Sequence, residues 1–106
     1  MAVKRFRDYE GRSIRLTAER WAHIQDHPEM AGMRGAIKET LAAPEVVVRS
    51  TVDSKAHLYH RWYFGTQVGE KYLCVVVKVQ ERDAFVLTAY LTEKIRRGDV
   101  IWRAKS

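Results

Sequence analysis

The sequence predicts an α+β fold in which two N-terminal helices pack on a four-stranded antiparallel sheet, preceded by a short N-terminal hairpin. Three observations predict it. Apolar residues between Trp21 and Leu41 recur at helical spacing, those after Pro44 recur with a period of two, and the four period-two segments are separated by short polar loops. A helix pair with one apolar stripe and a sheet with one apolar face bury each other. At 106 residues the chain suits a single domain, spanning residues 1–106.

The elements follow in order. "KRFRDYEGRSIRL" reads as a hairpin turning at Glu10-Gly11. Thr17 stands where an N-cap would, Glu19 suits the positive end of a helix dipole, and Trp21 and Ile24 begin an apolar stripe, giving a short helix over about Ala18 to Asp26. Pro28 resists continuing it but fits the first turn of a second helix. Met33, Ile37 and Leu41, with Pro44 beyond, place that helix over about Glu29 to Ala42. "EVVVRS", "LYHRWYF", "YLCVVVKV" and "FVLTAYLT" are the four strands. Thr92 to Arg97 is expected to form one helical turn ended by Gly98, with "VIWRA" as a last short strand.

Composition narrows the function classes. Hydrophobic residues make up 46% and charged residues 30%, too aliphatic for disorder. No stretch approaches the ~18 apolar residues of a membrane span, and no apolar segment follows the charged N-terminus, so the expected location is cytoplasmic, with no membrane partner. Cys74 is the single cysteine; it lies within an apolar run, where a packed residue is the simpler reading than a nucleophile. The net charge of +6, from 19 Lys and Arg against 13 Asp and Glu, makes a polyanion such as RNA the first partner to consider, against a merely solvated basic surface.

Strand alternation suggests where such a partner would sit. Phe85, Leu87, Ala89 and Leu91 are expected to face the core with Leu73, Val75, Val77 and Val79, and with Leu58, Trp62 and Phe64. The opposite face would then carry Tyr59, Arg61, Tyr63, Lys78, Thr88 and Tyr90. Cations suit phosphate and aromatic rings stack on unpaired bases, although an amphipathic sheet without function has the same pattern.

"HIQDHPE", His23 to Glu29, imitates the start of a zinc site, yet Ile24 stands where the metalloprotease pattern needs its Glu and Pro28 spoils the helical spacing of His27. No downstream Cys or His, His57 and His60 included, supplies a recognisable ligand spacing, so no metal or other cofactor is expected. His23 is then a candidate general base or acid, or else a half-buried residue beside Trp21, and His27 a junction residue.

"IRLTAERWAHIQDHPEM", a following helix, "HRWY", "YLCVVVKV" and "FVLTAY" together resemble the phage-associated nuclease-like families of the barnase–EndoU–colicin–RelE-like superfamily, from about Ile14 to Tyr90. The resemblance implies helices against a four-stranded antiparallel sheet and a metal-independent endoribonuclease, a toxin or phage-derived effector, in which the ribose 2′-hydroxyl attacks the adjacent phosphate. It implies His23, Arg61, Thr88 and Tyr90 as catalytic residues and, more loosely, Lys78 as a charge stabiliser, with a cognate inhibitor protein as a further candidate partner. Lys78, Tyr59 and Tyr63 are the expected RNA-binding residues. A non-catalytic RNA- or protein-binding prophage domain is the alternative.

Overall fold

The computed structural model describes residues 3–105. Strands β1 (Lys4–Arg7) and β2 (Ser13–Leu16) form the expected hairpin, in which Gly11 takes a φ of 81° that a side chain would disfavour. Helix α1 (Ala18–Ile24) is capped by Thr17, whose Oγ1 accepts from the Arg20 amide at 3.1 Å. It ends before Asp26, and His27, held extended by the following Pro28, separates it from what comes next. The second helical stretch is divided: Pro28–Met30 is a single 3₁₀ turn, and α2 proper is Arg34–Ala42. Of the periodic positions Met33, Ile37 and Leu41, the last two are fully buried, while Met33 is the N-cap of the shorter helix and only half-buried; Met30 of the 3₁₀ turn is also buried.

The remaining strands are β3 (Val46–Arg49), β4 (Ala56–Thr66), β5 (Gly69–Val79), β6 (Ala84–Thr92) and β7 (Asp99–Arg103). They join β1 and β2 in one sheet of order β1-β2-β6-β5-β4-β3-β7. The expected four-stranded antiparallel sheet is therefore incorrect: the sheet has seven strands and is mixed, because β2 pairs parallel to β6 at Arg15 and Phe85 and β7 closes the far edge against β3. Each edge partner is distant in sequence, so local pattern cannot name it.

No helical turn forms over Thr92–Arg97. The connection from β6 to β7 passes β5, β4 and β3, four strand spacings or about 19 Å. Six helical residues would cover only about 9 Å. The segment is an extended strap across the face that the helices leave free. Where it reaches β7, Gly98 takes a φ of 151°, and a Cβ there would overlap the Arg49 carbonyl oxygen and Val48 Cγ1.

Apolar packing occupies both faces. Under the helices, Ile24, Ile37 and Leu41 meet Ile14, Leu16, Val47, Tyr59, Leu73, Val75, Val77, Val86 and Ala89. On the other face Val46, Val48, Leu58 and Cys74 form a smaller cluster with Ile95 of the strap. Two register expectations need correction. Arg61 stands opposite Leu73, which stands opposite Leu91, so Tyr59, Arg61 and Tyr63 lie on the helix side and Leu58, Trp62 and Phe64 on the free side. In β6, an irregularity beside Val76 and Val77 sets Val86 rather than Leu87 against Val77 and turns Phe85 to the free side, because one extra residue inverts the alternation.

Candidate functional site

The sheet separates the six residues expected to share one face. Tyr59 is wholly buried, and its hydroxyl donates to Asp8 Oδ2 at 2.6 Å, while Arg12 Nη1 donates to the same oxygen at 2.8 Å and to the Tyr59 hydroxyl at 3.1 Å. Burial, and then the Asp8 carboxylate, pushes the phenol's pKa up. Arg61 Nη1 donates to the Ala43 carbonyl, the C-cap of α2, at 2.6 Å, and its Nε lies 3.5 Å from Glu39. Tyr63 donates to Glu39 Oε1 at 2.6 Å, and burial with that bond raises its pKa to about 12. These three side chains hold the hairpin and α2 against the sheet.

His23 is exposed on α1, which packs on the helix side of β6; the half-buried placement beside Trp21 is not what forms. Lys78, Thr88 and Tyr90 lie on the free side, where Lys78 is paired with Asp53. His23 and Arg61 are thus divided by the sheet from Thr88 and Tyr90.

What the free side does assemble is a pocket of about 420 Å³ beside the strap, between the loop after β3 and the end of β6. Its polar lining is Ser50, Thr51, Tyr90, Lys94, Arg96 and Arg97, over an apolar floor of Leu58 and Ile95, and it includes no carboxylate. Lys94, Arg96 and Arg97 are exposed and, among the described residues, in no ion pair. The Arg96 guanidinium lies 5.9 Å from the Tyr90 ring centroid. Burial first, and then Cys74 beside it, raises the Tyr90 hydroxyl to about 12, so at neutral pH it is a proton donor.

The strap is fastened from below by His60. This side chain is completely buried; its Nε2 accepts from the Arg96 amide at 3.0 Å and its Nδ1 lies 3.3 Å from the Val46 carbonyl. The two partners fix a neutral ring protonated on Nδ1. Burial lowers its pKa, with the backbone carbonyls opposing. Cys74 is buried and its thiol is pushed up to about 12, which suits packing and not nucleophilic attack.

Lys94, Arg96 and Arg97 escaped the sequence reading because "TEKIRRG" was expected to be a helical turn, where alternate residues do not share a face. Its three cations against a single Glu directly after β6 were the available signal. Among the described residues, no group of three or more His, Cys, Asp or Glu is placed to hold a metal ion, and no helix is long and apolar enough to cross a membrane. No family model, curated protein or solved structure matches this chain.

Proposed function

We propose that this protein binds RNA through the pocket beside the strap and acts there as a metal-independent endoribonuclease. The observation that carries the proposal is the pocket itself: three unpaired cations and a protonated Tyr90 converge on a cavity free of carboxylates. Such a lining suits a phosphodiester and offsets the charge that gathers on the phosphate oxygens as the 2′-oxygen bonds to phosphorus and the bond to the 5′-oxygen breaks. Arg96 and Lys94 stabilise that charge; the 2′-hydroxyl gives its proton to solvent water, Tyr90 donates a proton to the leaving 5′-oxygen and regains one from water, and the products are a 2′,3′-cyclic phosphate and a 5′-hydroxyl. The resemblance to the barnase–EndoU–colicin–RelE-like superfamily supports the reaction type. With a cytoplasmic location, RNA is the abundant polyanion, and a cognate inhibitor protein would cover the same basic surface.

A second reading has its own support. No free imidazole or carboxylate lines the pocket to accept the 2′-hydroxyl proton, and His23 lies across the sheet. That arrangement favours a module that binds RNA without cutting it. Incubation of the purified protein with total RNA in excess EDTA separates the readings: the proposal requires fragments ending in 2′,3′-cyclic phosphate, and binding without fragments supports the module.

A further inference from the structure

The free side carries a second feature that the phosphate pocket does not use. Near the hairpin that joins β4 to β5, its outward residues are Trp62, Phe64 and Tyr72. Trp62 and Tyr72 stand opposite each other with ring centroids 4.8 Å apart at 75°, and Phe64 lies 6.3 Å from Trp62 at 84°. Phe64 is 70% exposed, and Trp62 and Tyr72 are half-buried. On the same face Tyr72 stands opposite Thr92 at the end of β6, directly before the strap that carries Lys94, Arg96 and Arg97, while His60 and Cys74 are covered. Rings and cations therefore share one face, the rings on β4 and β5 and the cations on the strap that leaves β6.

We infer that this aromatic band is a stacking platform for unpaired bases, which makes single-stranded RNA the substrate class of the pocket. The inference rests on reading the pocket as a phosphate site. A base inside a duplex already has its faces covered, whereas an unpaired base can lay one face on an exposed ring. Successive same-face residues along a strand advance about 7 Å, comparable to one nucleotide of extended backbone. Charge selects the occupant. A second copy of a chain with net charge +6 would bring like charge to a face that already holds Lys94, Arg96 and Arg97, while a polyanion is attracted to it.

The test compares, at one salt concentration, a labelled single-stranded oligoribonucleotide, an abasic strand of equal length and charge, and a blunt RNA duplex. The base-bearing strand is expected to bind roughly 10-fold or more tighter than the abasic strand. Phe64→Ala, at an exposed position, should remove most of that advantage and leave abasic binding unchanged. Trp62→Phe keeps a ring in place and should retain affinity while losing most of the fluorescence quenching that the RNA causes. Equal binding of both strands, or tighter binding of the duplex, overturns the platform and leaves the phosphate site standing. Failure of every strand to bind removes the phosphate site and the platform with it. A dimer in sedimentation that Phe64→Ala disperses would instead assign the face to a second copy and overturn the inference.

Discussion

The two faces of the sheet hold the same kinds of side chain and use them differently. On the helix side, Arg12, Arg61, Tyr59 and Tyr63 each have an internal partner: the Asp8 carboxylate, the Ala43 carbonyl, or Glu39. On the free side, Arg96, Lys94 and Arg97, with Tyr90 whose hydroxyl meets the Cys74 thiol, surround a cavity with no carboxylate. An arginine or tyrosine in a strand therefore says little about function until its partner is known. Committed groups stabilise the fold, and uncommitted ones are available to a ligand.

The largest expected effect sharpens this contrast through one pair of tyrosines. If Tyr90 donates the proton, Tyr90→Phe should slow RNA cleavage by roughly 10²–10⁴-fold with little loss of binding. Tyr63→Phe should lower thermal stability and leave the cleavage rate of the folded protein unchanged. Equal loss of rate in both variants would break the division between faces.

A smaller effect falls on stability. Asp8 has no exposed side-chain surface and accepts from the Glu10 and Arg12 amides, the Arg12 side chain and the Tyr59 hydroxyl. Asp8→Ala strands the buried phenol and should cost about 2–4 kcal/mol in denaturant unfolding, while affinity for RNA per folded molecule is retained. An unchanged unfolding midpoint would show that this network does not stabilise the hairpin.

Binding offers a finer measure. Arg96→Ala should reduce the dependence of log affinity on log salt by about 0.7 for each phosphate of a single strand that the protein no longer neutralises, and Arg61→Ala should not change it. A lower slope for Arg61→Ala alone would move the RNA to the helix side.

The smallest effect is the response to acid. Burial lowers the folded-state pKa of His60 below its ordinary value of 6.5, so below that pH the unfolded chain binds more protons than the folded one. Stability should therefore fall as pH drops through about 6.5, by up to about 1.4 kcal/mol per pH unit from this residue, until the folded form also titrates. His57 is shifted the same way, mainly by burial, so the slope should be shallower in His60→Gln without vanishing. A melting temperature independent of pH between about 5 and 7 would contradict this.

Much of the chain was legible locally. The Gly11 hairpin, the Thr17 cap, the four consecutive strands and the burial of Ile24, Ile37 and Leu41 follow from turn chemistry and periodicity. The sheet's extent was not, since β2 meets β6 and β7 meets β3 across long stretches of sequence. The face assignment of β4 failed for a related reason. Hydrophobicity favours burying Trp62 over Arg61, but Arg61 has a helix-end carbonyl within reach and Tyr59 has Asp8, and neither partner is visible in the strand's own alternation. Of the expected site residues, Lys78, Thr88 and Tyr90 share the free face, Lys78 paired with Asp53, and Tyr90 lines its pocket. The pocket's cations come from a segment whose extended path is dictated by the distance it must cross.

That crossing also sets an order in time. β3 to β6 pair with their neighbours in sequence, so they can assemble early, while the strap cannot be laid down until the strands beneath it exist. β7 then docks last, as the far anchor of a nearly taut tether, and it is the element expected to detach first. Amide exchange should thus be faster in β7 and at Arg96 than in β4 and β5, with each brief release of β7 slackening the cation-bearing wall of the cavity while the sheet below stays paired. The lifetime of the β3–β7 pairing would then set how long Lys94, Arg96 and Arg97 are held in place together beside the cavity.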